Sequence, residues 1–270
     1  MMSRLSGIYL EITIDGQRVP RCPECVIELS RRLALTRAQL TLPDPDGSVW
    51  RFLRVGQKVE IRYSYRGALS VGEFAGTVGH YEPSVCQRDQ VVVRADGPER
   101  PLLSVRMKES WMDEPATVLA RRILAASGLP VGFIALPDVV IPRMSVCRVN
   151  LREAICQLVN SIETGFGQNL SGHSLRLEDG KWVLDEKTLP GNKLVVATGS
   201  GLIRHRRSGF GMEVETWLSP FVKPMMAFNL EDQRRGISGE MKADSVIHRI
   251  MPKSVRTFLT YGGEYARFQC

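Results

Sequence analysis

The pair Cys22-Pro23-Glu24-Cys25 has the thiol spacing of a zinc knuckle. A structural zinc needs four such ligands, and neither a second cysteine pair nor paired histidines follow at suitable spacing. The pair lies between strand-like runs rather than opening a helix, so the thioredoxin arrangement is excluded as well. The other cysteines, Cys86, Cys147, Cys156 and Cys270, stand singly, and six thiols in 270 residues are too few for a disulfide scaffold. His80, His173, His205 and His248 are far apart, and no two stand four apart on a helix. His80 and His248 are expected at strand ends, facing solvent or packed as satisfied polar groups. Adjacent carboxylates occur as Asp113-Glu114, Glu178-Asp179, Asp185-Glu186 and Glu231-Asp232. Each falls at an expected helix start, hairpin or loop, where dipole and turn chemistry favour acids. Gly199-Ser200-Gly201 and Gly209-Phe210-Gly211 lack the lysine and the strand-to-helix setting of a phosphate loop. Gly165-Phe166-Gly167 follows a helix and reads as its cap. No catalytic residues, cofactor-binding set or metal ligands are expected.

One run has binding chemistry. Arg204-His205-Arg206-Arg207 lies between two glycine clusters and is expected to be a basic loop tip. Such a tip could dock on an acidic partner surface or face DNA by charge alone. Arg204, Arg206 and Arg207 are the candidate partner contacts.

Composition bounds the rest. The 36 Lys+Arg against 29 Asp+Glu leave a net charge of +7, scattered rather than concentrated in a patch with interleaved aromatics. With 43% hydrophobic and 24% charged residues the chain is globular, and its length allows about two domains. No apolar stretch reaches the ~18 residues of a membrane span. Glu11 and Asp15 interrupt the only early apolar segment, so no secretory signal is expected. A soluble protein made in the cytoplasm is the expectation.

The elements that must position these residues follow from periodicity. Ile8, Leu10, Ile12 and Ile14 alternate with polar residues up to the turn Asp15-Gly16, and Ala38, Leu40 and Leu42 do so up to Pro43-Asp44-Pro45-Asp46-Gly47. Val59, Ile61, Tyr63 and Tyr65 give another strand, with further β segments over 74–78, 90–94 and 103–107. Short half-polar strands at this spacing predict a barrel or sandwich. The period then changes. Ala116, Leu119, Ile123 and Ala126 share a helical face that Gly128 ends. A second helix has Asn150 as cap, Glu153 at the capping-box position and an apolar stripe through Leu151, Ala154, Ile155, Leu158, Val159 and Ile162. Leu175 and Leu177 face Trp182 and Leu184 across the hairpin turn Asp179-Gly180. After Pro190 strands return over 194–197, 212–218, 225–230, 237–249 and 256–261. The expected class is mainly β with an α+β insertion, divided into 1–108, 109–190 and 191–270. No residue-level repeat relates the two β-rich ends.

This order of elements resembles a known family. The carrying segments are Val71-Gly72-Glu73-Phe74-Ala75-Gly76-Thr77-Val78, Val91-Val92-Val93-Arg94-Ala95-Asp96-Gly97 and the helix opened by Glu114-Pro115-Ala116-Thr117-Val118-Leu119-Ala120. They continue with Leu151-Arg152-Glu153-Ala154-Ile155-Cys156-Gln157-Leu158, Leu177-Glu178-Asp179-Gly180-Lys181-Trp182, Ser245-Val246-Ile247-His248-Arg249 and Thr257-Phe258-Leu259-Thr260. The chain resembles phage baseplate hub proteins, including late-control and Mu-type hubs, and is similar to the hub part of type VI secretion spike proteins. The resemblance implies two related β-barrel domains adjoining a small α/β unit, and assembly as a homotrimer. Three chains would make a pseudo-sixfold ring, an adaptor between a hexameric tail tube and a trimeric spike, lining the distal channel. The implied partners are other copies of the chain, a tail tube or distal tube protein, and a spike. The spike would be a separate protein, because the chain stops at Cys270. DNA would be only passing cargo, the chain would insert in no membrane, and its place would be the virion tail. The rival readings are a tail-associated cell-wall hydrolase and a DNA-binding tail-assembly factor.

Overall fold

The computed structural model describes residues 7–30, 35–85, 89–186, 189–208 and 211–262. They form two compact units. One takes the chain up to Ser30, Thr36–Pro98 and Leu189–Tyr261, and the other is built on the stretch that begins at Glu99. Cys86, Cys270 and the Gly209-Phe210 part of the second glycine cluster lie outside the described residues.

The first unit opens with β1 (Ile8–Ile14), β2 (Gln17–Arg18), β3 (Glu24–Ser30), β4 (Leu35–Pro43), α1 (Ser48–Phe52), β5 (Lys58–Tyr65), β6 (Gly72–Pro83) and β7 (Gln90–Asp96). The period-2 alternation decides which face is buried. Ile12, Ile14, Ile27, Leu40, Val59 and Ile61 are almost wholly removed from water, while Glu60 and Arg62 between them remain exposed. Each such side chain contributes about 1.5–3 kcal/mol relative to exposure. Asp15 and Gly16 both take positive φ, 52° and 79°, so the β1–β2 hairpin turns in two residues. At Gly76 a Cβ would stand 2.4 Å from the Asp96 carbonyl oxygen and 2.7 Å from Cζ of Phe74, so only glycine lets β6 lie this close to β7.

The second unit contains α2 (Pro101–Ser104), β8 (Arg106–Pro115), α3 (Ala116–Ala125), β9 (Val131–Ile134), β10 (Val140–Asn150), α4 (Leu151–Phe166), β11 (Ser174–Glu178) and β12 (Lys181–Asp185). β8 and β10 pair as a long antiparallel ribbon, and β11, β12 and β9 make a three-stranded sheet. The helical stripes of α3 and α4 pack with Trp111, Ile141, Trp182 and Leu184 in one apolar cluster. The α4 capping box is complete: Glu153 N–H donates to Asn150 Oδ1 (2.8 Å) and Asn150 N–H donates to Glu153 Oε2 (3.1 Å). Trp182 Nε1–H donates to Ser127 Oγ at 2.8 Å, which satisfies the polar atom of a fully buried ring. Residues 103–107 are not one strand as expected. Pro101 presets the first helical φ, Leu102 is buried by the resulting turn, and the strand starts only at Arg106.

The chain then returns to the first unit with β13 (Leu189–Ala197), β14 (Leu202–Ser208), β15 (Gly211–Trp217), β16 (Met226–Asp232), β17 (Ile237–Lys242), β18 (Ser245–Met251) and β19 (Ser254–Tyr261). The expected strand 237–249 is two strands, β17 and β18, parted at Ala243 and Asp244. Ala243 is fully buried there, and its N–H donates to the Met226 carbonyl at 3.0 Å.

The class is mainly β, as the periodicity predicts. One eleven-stranded sheet runs β14-β15-β19-β18-β3-β4-β7-β6-β5-β1-β2, so strands from both ends of the sequence share it. The joint is the antiparallel pairing of β18 with β3, Cys25 opposite Ile250 and Ile27 opposite His248. Among the described residues no pairing joins β14 to β2. A smaller sheet, β13-β16-β17, packs Val196, Phe228 and Leu230 with Val214, Val246 and Leu259 as a separate apolar cluster.

Candidate functional site

Arg204, Arg206 and Arg207 do not form a loop tip. They lie in β14, a strand at the edge of the large sheet that, among the described residues, pairs with β15 alone in that sheet, with a register irregularity between Leu202 and Arg204. The register sets Arg204 opposite Glu215, His205 opposite Val214, Arg206 opposite Glu213 and Arg207 opposite Met212. Opposite charges facing across an antiparallel pair favour the strand, which a reading of glycines and arginines as loop chemistry overlooks. Arg206 Nε is 2.6 Å from Glu213 Oε1, and this bond raises its pKa further. Glu215 is held by Arg256 instead, at 3.4 Å, and the Arg256 guanidinium lies 4.4 Å from the Trp217 ring centroid. Arg204 and Arg207 are exposed and make no ion pair among the described residues.

The same strand carries a buried anchor. His205 points away from Arg204 and Arg206, and its Nδ1 lies 2.7 Å from Asp232 Oδ2 and its Nε2 lies 2.8 Å from the Tyr261 hydroxyl. All three residues are buried. The hydrogen-bond arrangement that satisfies all three groups has Nδ1–H donating to the carboxylate and Nε2 accepting from the Tyr261 O–H. The hydrogen bond from His205 holds the Asp232 carboxyl below the usual carboxylate range. Burial, followed by the nearby Asp232 charge, raises Tyr261. The Tyr261 ring stands edge-on to Phe228, with 5.7 Å between centroids. Asp232 belongs to a carboxylate pair that the sequence places in a loop. It closes β16 instead, and the visible signal was the period-2 position of Phe228, Leu230 and Asp232 on one face.

The remaining histidines and thiols are dispersed. His80 is exposed within β6, 3.6 Å from Glu82. His248 is not at a strand end but in the middle of β18, completely buried, with Nδ1 3.0 Å from Thr257 Oγ1 and Nε2 without a hydrogen-bond partner. Burial drives its pKa down to about 4, and the Val222 backbone opposes this only slightly. Cys22 Sγ lies 3.0 Å from the Glu24 carbonyl, and burial pushes the thiol up to about 12. Cys25 is buried in β3 with its pKa raised well above the usual value for the same reason. Both shifts disfavour the thiolate that binds metal. Among the described residues no group of three or more His, Cys, Asp or Glu is placed to hold a metal ion. No helix among them is long and apolar enough to cross a membrane. A groove of about 460 Å³ lies in the first unit between Tyr65, Trp217, Pro252, Lys253, Val255 and Arg256.

No protein-family model matches the chain, and no curated protein matches it in sequence. Solved structures do match in fold. A tail protein of prophage MuSo2 from Shewanella oneidensis superposes with a TM-score of 0.68 at 12% identity, over 97% of this chain and 98% of that one. A tail protein from Neisseria meningitidis MC58 gives 0.67 at 10% identity, again over 97% and 98%. An E. coli component of the type VI secretion system, itself structurally similar to the T4 bacteriophage tail proteins gp27 and gp5, gives 0.63 at 11% identity over 96% and 78%. The chain shares the fold of these proteins over nearly its whole length.

Proposed function

We propose that the chain is a structural component of a phage or phage-like tail, the baseplate hub, with no catalysis of its own. The observation that carries this reading is fold likeness to tail proteins over almost the whole of both chains. The hub would be a homotrimer joining a hexameric tube, or distal tube protein, to a trimeric spike within the virion tail, and lining the channel through which DNA passes.

The interior supports the symmetry argument. Residues from Ile12 to Ala95 dominate one apolar cluster of the first unit, and residues from Val196 to Tyr261 dominate another. Two β-rich halves per chain, 1–108 and 191–270, would supply six similar elements from three subunits, matching a sixfold tube. The segment 109–190 would be an insertion, packed on a core that also takes in Leu102 and Met107. Arg204, Arg206 and Arg207 are the proposed partner contact. A closed ring would also bury edges that otherwise invite aggregation.

Native mass spectrometry of the purified protein without chelator tests this. A species of three times 30.2 kDa without metal is expected. A monomer carrying stoichiometric metal would overturn it in favour of a tail-associated hydrolase. A monomer with steeply salt-dependent DNA affinity, absent from finished particles, would favour the assembly factor.

A further inference from the structure

We propose that β14 accepts an added β-strand from an acidic partner segment, extending the eleven-stranded sheet by one. The inference builds on the reading of the arginines as a partner contact, but not on the trimer.

Three observations carry it. The two ends of the large sheet are unequal: β2 has two residues, too short to template a partner, whereas β14 has seven and, among the described residues, pairs on one side only within that sheet. The edge is also held in place. Inside, His205 is tied to Asp232 and Tyr261 at 2.7 and 2.8 Å. At its start, Ala197 N–H donates to the Ser200 carbonyl (3.0 Å) and Ser200 N–H to that of Ala197 (2.8 Å). A fixed strand loses little conformational freedom when a second one docks.

Charge then selects the occupant. The strand Leu202–Ser208 contains three arginines and no acid. Arg206 is engaged with Glu213, which leaves Arg204 and Arg207 as exposed cations with no ion pair among the described residues. A second copy of β14 laid along the edge would set arginine against arginine, which disfavours homotypic pairing. Arg204 and Arg207 stand three positions apart and so project from opposite faces of the strand, and an extended segment with carboxylates three positions apart turns that repulsion into attraction. Main-chain hydrogen bonds would supply affinity and the arginines selectivity.

The test uses the full-length protein and a synthetic Val-rich peptide with Glu residues three positions apart, so that both faces carry a carboxylate, about nine residues long to span the strand. Two controls share its purpose: the same peptide with alternate amides N-methylated, and a short DNA duplex. The expected result is that the acidic peptide binds and slows hydrogen exchange of the 202–208 amides. N-methylation, or the double variant Arg204→Glu/Arg207→Glu, should weaken binding roughly tenfold or more. The double variant should gain affinity for the Lys-for-Glu version of the peptide, and both substituted sites are exposed, so its circular dichroism should match the parent. Undiminished binding of the N-methylated peptide would overturn strand addition in favour of charge attraction alone. Protection of β14 by the duplex and not by the peptide would overturn it in favour of nucleic acid. No binding, or protection confined to the groove at Trp217, would overturn it too. The trimer mass measured on the same sample separates these failures from failure of the hub reading.

Discussion

Acidification from about pH 8 to about pH 5 is expected to cost the first unit about 2 kcal/mol through His248 alone. This imidazole is completely buried, and its pKa lies at about 4 against 6.5 when exposed. Between those two values the unfolded chain takes up a proton that the folded chain refuses. The contribution is therefore fully present above 6.5, falls as the pH drops through the window, and is lost completely below about 4. Each tenfold change in proton affinity is worth about 1.4 kcal/mol, so the total is about 3 kcal/mol, of which some 2 kcal/mol has gone by about pH 5. The groups around the ring are Thr257, the Val222 backbone, the Tyr63 ring at 5.2 Å between centroids, and the paired strand position Ile27. None of them is an ion that could rescue the imidazolium. The comparison is urea unfolding of the parent and of His248→Asn at both pH values. The asparagine oxygen can still accept from Thr257, but the side chain cannot titrate. The variant is less stable at both, and its loss on acidification should be smaller than the parent's by about 2 kcal/mol. Equal losses, or an NMR titration of His248 with a midpoint near 6.5, would refute the reasoning.

Three further outcomes are expected. Gly76→Ala must push a methyl carbon into the Asp96 carbonyl oxygen from 2.4 Å, so it should lower unfolding free energy by about 1–3 kcal/mol in denaturant melts. Tyr261→Phe removes the hydroxyl that His205 Nε2 accepts from while keeping the ring against Phe228, and should cost about 1–3 kcal/mol, read in the same melts. In a thiol-labelling time course mapped by mass spectrometry, exposed Cys147 should react at least about tenfold faster than Cys22 or the buried Cys25 and Cys156.

Elements with a strict period were legible in the sequence. The alternation of Ile8 to Ile14 and the stripe and capping box of the helix from Leu151 need only local chemistry, and both are found as read. The β8–β10 ribbon was not legible. Pro142 and a bulge between Cys147 and Val149, with Arg148 at φ 57°, break the alternation, and the buried residues Met107 and Trp111 stand four apart. β14 was misread because its strand character comes from Glu213 and Glu215 across the ladder and from Asp232 and Tyr261 beneath it. Those partners are set by tertiary pairing, and glycines on both sides are equally compatible with a loop. The position of His248 was missed for a related reason. One buried histidine in a strand becomes visible only when its neighbour, here Ile27, is known.

The joint between β3 and β18 has a consequence for how the protein is made. Strands near the two ends of the chain lie side by side, so β3 is synthesised long before the strand that covers it. During translation the opening part of the first unit carries an unpaired edge, and Cys25 and Ile27 wait for Ile250 and His248. Closing contacts so distant in sequence is entropically slow, and the exposed interval is when such chains aggregate. Ribosome-stalled or truncated chains lacking β18 therefore present the β3 edge unpaired, and they are the chains expected to associate through it.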